Sequence, residues 1–314
     1  GAGGDGSATT GGPLQALLEP LRSGLALKTG LSARDHQEVL VHSIGKALLN
    51  GWDLWIAGQP HCICELEAYV HGPEHPDPYT HGDEGQRCCG VWYFHRKGGS
   101  FKSGTFKGLD IGCGDGAKGV AAGLLLRAVR PLCEGGAPGP VTEGACLVVD
   151  RILKLNGKPS IAAFVDGRSA AELSAEATEG LQLRPAVHPR SDRIWSAPRV
   201  GLVPRRAEDG KTHLDGGRPE EFVARAYRLS SAPRLLSKFR AGFAAAGHLG
   251  FIPASELSAE LGLPKIKEYL EATDKGFREG NPDSFADRKI CGQAELCELF
   301  GACRAAASGG AHGA

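Results

Sequence analysis

Residues Glu65–His81, ELEAYVHGPEHPDPYTH, decide how this chain is read. An apolar run ends in two carboxylates, Glu65 and Glu67, whose spacing of two turns both to one face of a β-strand. A Gly-Pro loop follows at Gly72–Pro73, and His71, His75, Tyr79 and His81 gather around it. A strand that presents two carboxylates beside such a loop builds a polar site. Further along, Gly123–Leu132 (GLLLRAVRPL) reads as an apolar strand with Arg127 in its middle.

On the N-terminal side, residues 1–12 are mostly Gly, Ala, Ser and Thr and read as a disordered tail. Leu14–Leu49 keeps helical spacing over two helices, with Ser32 as the N-cap of the second. Trp52–Tyr69 changes period and predicts strands around a turn at Gly58-Gln59-Pro60. Val91–Arg130 is strand-like and rich in glycine. Ala145–Leu155 fits helix or strand. Ser160–Val165, Ala197–Val203 and Phe222–Leu229 predict strands, and Ala170–Thr178 has helical composition. Beyond Ser230 the pattern turns helical, over Arg234–Ala246, Ala254–Leu261 and Lys265–Phe277. Residues 308–314 read as a second disordered tail.

The 314 residues carry 36 basic and 36 acidic side chains, so the whole chain lacks the basic signature of a nucleic-acid binder, and such binding would need a local patch. Arg184–Lys211, with Arg184, Arg190, Arg193, Arg199, Arg205 and Arg206, is one candidate patch or a solvated loop. Trp92–Gly108 (WYFHRKGGSFKSGTFKG) is another, mixing aromatic and basic residues. Methionine is absent even at position 1, which suggests a processed or partial chain. No signal peptide and no apolar run long enough for a bilayer is found. The ten cysteines include no CxxC pair, so reduced thiols in an intracellular protein are expected rather than a zinc site. The location would be the nucleus in a eukaryote or the cytoplasm in a bacterium. Cys291, Cys297 and Cys303 recur every six residues, a spacing that does not share one helical face.

The ordered set of segments resembles the methylpurine-DNA glycosylase family. Glu67-Ala68-Tyr69, then Gly72-Pro73-Glu74, then His81 follow that family's strand end, loop and histidine. Leu125-Leu126-Arg127-Ala128-Val129-Arg130-Pro131-Leu132 matches its apolar arginine strand. Arg199-Val200-Gly201 and Arg225-Ala226-Tyr227-Arg228-Leu229 stand in the order of its C-terminal strands. The resemblance spans Gly51 to Pro233. It implies a general base at Glu67 that activates a water, a supporting Arg127, and pocket walls from Tyr69 and His81. It also implies nucleic-acid contacts at Lys107, Gly108 and Arg199, and neither a metal nor an organic cofactor. A carboxylate within hydrogen-bond reach of water suits the first role and stabilises an oxocarbenium-like sugar. The target base has to leave the stack and enter a pocket.

Departures accompany the match. The family's aromatic wedge falls at Lys107, its second pocket tyrosine at Gly104 and its pocket asparagine near Gly114, so substrate choice is expected to differ. A separate segment, Leu109–Gly116 (LDIGCGDG), resembles the first motif of S-adenosylmethionine-dependent methyltransferases. Its flanks offer neither a buried strand before it nor a ribose-binding acid after the next strand. A third alternative is an inactive relative that binds nucleic acid or a partner, and Ala254–Leu270 (ASELSAELGLPKIKEYL) has the look of a helix-turn-helix.

The expected fold is α+β: one mixed domain over 13–233, with a curved, largely antiparallel sheet flanked by helices, and a helical extension over 234–307. The expected activity is hydrolysis of a modified purine's N-glycosidic bond in base excision repair. DNA is the expected partner, with no membrane association and a monomeric state.

Overall fold

A computed structural model describes residues 12–26, 33–133, 139–204, 218–286, 288–290 and 292–309. The chain is a mixed α/β fold built on a curled antiparallel half-barrel sheet. Its strands are β1 (Trp52–Ile56), β2 (Gln59–Gly72), β3 (His75–Pro76), β4 (Cys89–Phe94), β5 (Arg96–Lys97), β6 (Ser100–Phe101), β7 (Leu109–Cys113), β8 (Ala121–Pro131), β9 (Thr142–Glu143), β10 (Leu181–Pro185), β11 (Trp195–Ala197) and β12 (Arg228–Ser230). The helices are α1 (Pro13–Arg22), α2 (Ala33–Gly51), α3 (Ala145–Leu155), α4 (Ile161–Val165), α5 (Pro219–Val223), α6 (Ala241–Leu249), α7 (Ala254–Leu261), α8 (Ile266–Glu279) and α9 (Gln293–Gly309).

The main sheet runs in the order β10-β1-β2-β8-β7-β4, and β12 also pairs with β2. The long pair β2–β8 carries the register that matters, with Glu67 opposite Leu125 and Tyr69 opposite Gly123. Irregularities fall between Ile63 and Leu66, where Cys64 on β2 and Arg127 on β8 are skipped in the β2–β8 register. A bulge of this kind switches which parity of residue faces which side. Cys62 and Cys64 before it, and Glu65, Glu67 and Tyr69 after it, therefore share one face. Ile63, Leu66, Ala68 and Val70 take the other and join the principal core with residues of α1, α2 and α3.

The polar face is covered in two parts. At the Cys62–Cys64 end, Trp195, Phe239, Phe243, Leu257, Leu270 and Phe300 build a second core, so the C-terminal helices share packing with the sheet instead of hanging from it. At the Glu67–Tyr69 end the face opens into a cavity. Helices α8 and α9 meet at glycines: a Cβ on Gly276 would lie 1.9 Å from the Glu298 carbonyl, and one on Gly301 would lie 2.2 Å from that of Thr273. Cys297 and Cys303 enter different cores, as their spacing predicts.

Several local expectations change. Ser160–Val165 is not a strand: the Ser160 hydroxyl caps the short helix α4 by accepting from the Ala163 amide at 3.1 Å. Its small and apolar residues read equally well at either period once a cap is present. Ala170–Thr178 yields only a 3-10 turn, Ala170–Glu172. Of Ala197–Val203 only Ala197 lies in a strand, and Phe222 and Val223 end α5 before β12 begins at Arg228. Ala254–Leu261 is helical as predicted, and Gly262 in the left-handed region separates it from α8. Ser32, Cys291, Arg205, Arg206, Lys211, nearly all of the first tail and residues 310–314 lie outside the described residues. Ser308 and Gly309 close α9.

Candidate functional site

Glu67 and Arg127 are neighbours, with Arg127 Nε 3.4 Å from Glu67 Oε1. Both are buried, Glu67 completely. Glu67 Oε1 accepts from the Val200 amide at 2.7 Å, and Oε2 accepts from the Tyr69 hydroxyl at 2.9 Å. Glu65 is tied on the other side of Arg127. Its Oε1 accepts from Arg127 Nε at 3.1 Å and from Arg228 Nε at 2.5 Å, while Oε2 has no partner among the described residues. Two carboxylates and two guanidiniums thus form a neutral buried network, which meets the requirement that buried charges be paired. Burial opposes the Arg127 cation, but Glu67 and then Glu65 outweigh it and hold its pKa above the usual arginine value. Burial, and then Glu67, pushes the Tyr69 phenol well up, so its proton stays on oxygen.

Beside this network lies a cavity of about 400 Å³. Tyr69, Tyr79, His81, His95, Asp110 and Leu125 are among its walls. Glu67 and Arg127 are not. Tyr69 is the wall residue whose hydroxyl reaches back to Glu67. Opposite, the wall is acidic. Asp110 is 1% exposed, and its carboxylate accepts from Gln86 Nε2 at 2.8 Å and pairs with His95 Nε2 at 2.7 Å. Leu125 pairs in register with both Glu67 and Asp110, so the two carboxylates flank it on adjoining strands. His81, exposed at the cavity, stacks edge-on against His95 with ring centroids 4.5 Å apart, and its Nε2 lies 3.1 Å from Lys102 Nζ. Partial desolvation, and then the neighbouring His95 and Lys102, lower His81 to about 4, leaving a neutral ring at pH 7.

Sequence reasoning placed Tyr69 and His81 in the pocket wall, where they stand. It missed Asp110, His95 and Gln86. Asp110 was hidden inside LDIGCGDG, although its alternation with Gly108 and Gly112 marks it as belonging to the opposite face from Leu109 and Ile111. That segment is a buried antiparallel strand between β4 and β8, followed by a 3-10 turn and not by a helix. Its glycines answer to packing: a Cβ on Gly112 would lie 2.3 Å from the Gly85 carbonyl, and one on Gly114 would lie 2.1 Å from that of Gln86.

The expected nucleic-acid contacts are placed differently. Arg199 is not at the surface. It is buried, pairs with Asp77 at 2.6 Å, and lies 4.5 Å over the Tyr69 ring. Burial opposes this cation most, but Asp77, Tyr69 and Glu67 together outweigh it and hold its pKa above the usual arginine value. Lys107 turns away to pair with Asp150 on α3. Gly108 is buried under His95, where a Cβ would lie 2.4 Å from Nδ1. Phe106, one residue before Lys107, is the exposed aromatic, at 75%. Within Arg184–Lys211, Arg190 binds Asp53 at 2.6 Å and Arg193 binds Glu256 at 2.5 Å, so these cations are tied to acids of the same chain.

Among the described residues no group of three or more His, Cys, Asp or Glu is placed to hold a metal ion, and no helix is long and apolar enough to cross a membrane. No family profile matches the chain. No solved structure matches it. The chain is similar to the uncharacterized protein L759 of Acanthamoeba polyphaga mimivirus, 29% identical over 190 residues, which are 57% of this chain and 85% of the viral protein.

Proposed function

We propose that the chain hydrolyses the N-glycosidic bond of a modified purine in nucleic acid, with Glu67 as general base. The supporting observation is the link from Glu67 through Tyr69 to the cavity wall, with Arg127 fixing the carboxylate from behind. Pockets of roughly 300–1,000 Å³ suit small ligands, and the volume beside Tyr69 falls in that range. The aromatic Tyr69 ring, backed by Arg199, is a stacking surface for a base taken out of its helix. When the Tyr69 hydroxyl swings off Oε2, a water takes its place; as the N-glycosidic bond breaks and its electron pair leaves with the base, the water attacks the sugar carbon and Glu67 accepts its proton. The arginine holds the carboxylate in place, and the carboxylate stabilises the cationic sugar.

Glu67→Gln keeps the shape and removes the base. The assay counts abasic sites formed on oligonucleotides carrying alkylated purines. Release is expected to fall at least a hundredfold, with oligonucleotide affinity within threefold of wild type. Equal turnover by the two proteins would remove Glu67 as base and leave the carboxylate as a structural ion pair.

A further inference from the structure

We propose that Asp110 is the specificity-determining residue of the cavity, selecting a base that presents an N–H donor at its edge. The proposal rests on reading the cavity as a base pocket. Asp110 is almost without solvent contact, yet it faces the cavity, where a buried carboxylate is costly unless its lone pairs are used. Each of its oxygens already accepts one bond, from Gln86 and from His95. A carboxylate offers about four acceptor sites, so capacity remains toward the cavity and none of it is a donor.

The surroundings fix this orientation. Gln86 cannot turn its amide over without losing the bond its Oε1 accepts from the Gly82 amide at 2.9 Å. Gly123 on β8 makes room for the carboxylate, since a Cβ there would lie 2.5 Å from Asp110 Oδ2. The charged and titratable groups around the pair are His95, His81, Lys102, Asp83 and Tyr93, and the Tyr93 hydroxyl is bound to Asp83 Oδ2 at 3.1 Å. Thr80, also in the wall, carries a buried hydroxyl with no partner among the described residues. An N–H aimed at Asp110 gains a charge-assisted bond, whereas an oxygen placed there meets a negative charge with no proton between them. A site built to bind a donor rejects the matched analogue that lacks it.

The test uses two bases of the same shape, 6-methylaminopurine, which has an N–H at the six position, and 6-methoxypurine, which has an oxygen there. Calorimetry on the full chain measures both. Wild type is expected to bind the amino base at least tenfold more tightly. Asp110→Asn turns one oxygen into an N–H donor, and the preference is expected to shrink below threefold or invert. Equal binding of the two bases by wild type, binding of neither, or an unchanged preference in Asp110→Asn would overturn the proposal. The wild-type comparison decides even where the variant fails to fold. Selective binding without abasic-site formation would remove the hydrolase and leave Asp110 as a reader of bases. Abasic-site formation without selectivity would remove Asp110 alone.

Discussion

Val200 donates its backbone amide to Glu67 Oε1 at 2.7 Å, across 133 residues of sequence. This bond fixes one oxygen from the main chain, while the other accepts from the Tyr69 hydroxyl at 2.9 Å and more weakly from Arg127 Nη1 at 3.4 Å. The carboxylate is therefore held rigidly on one side and releasably on the side toward the cavity.

Tyr69→Phe removes the releasable bond and keeps the ring. A net loss of about 1 kcal/mol is expected in urea unfolding, typical of one internal hydrogen bond. Base release should persist within tenfold, because the stacking face remains. Loss of release equal to that of Glu67→Gln would show that the phenol, rather than the ring, is needed.

Arg199→Leu leaves Asp77 buried without its cation. Removing one partner of a buried pair costs about 3–5 kcal/mol. Arg184→Ala, at an exposed arginine resting on Trp55, serves as the comparison and should stay within about 0.5 kcal/mol. Similar small effects at both positions would return Arg199 to the surface, where the sequence alone had put it.

Acid should destabilise the fold through its buried histidines. His75 is 1% exposed, and burial, then the Arg225 and Arg199 cations and His71, hold its pKa well below 6.5. Its ring packs edge-on against Phe222, with centroids 5.1 Å apart. His61 is also lowered, by burial first. Below the ordinary value of 6.5 the unfolded chain takes up protons that the folded chain refuses, so stability falls with falling pH. The urea midpoint should be flat above pH 7 and drop steadily toward pH 5, with a shallower drop in His75→Gln. A midpoint that rises over this interval would contradict the assignment.

Gly114→Ala forces a methyl group against the Gln86 carbonyl. Overpacking of this kind costs about 1–3 kcal/mol. Gly51→Ala, where a Cβ meets nothing within 4 Å, should be neutral or slightly stabilising. Thermal unfolding of the two variants separates a packing glycine from a permissive one.

Phe106→Ala bears on the nucleic-acid reading. The exposed ring beside Lys107 is available to enter a base step, and Lys107 is engaged by Asp150. On the same modified purine, release from duplex should fall tenfold or more while release from a single strand changes less than threefold. Equal losses on both substrates would assign Phe106 to general binding.

By itself, the sequence determined the long strand β2 and its two carboxylates on one face, because a period of two is a local property of the chain. It likewise determined the arginine strand and the α+β class, since strand-like and helix-like periods occupy separate stretches. Only the tertiary structure decided that Arg199 is an interior cation, because an arginine reads as exposed until its carboxylate partner, Asp77, is brought beside it from 122 residues away. The same holds for the cavity. Asp110, Gln86 and His95 become one wall only when β7 pairs with β4 and β8, and register between strands is set by packing of the opposite face rather than by local spacing. The bulge at Cys64 was equally hidden, because a skipped residue is defined by its partner strand, and it is this bulge that puts the thiols and the carboxylates on the same side of the sheet.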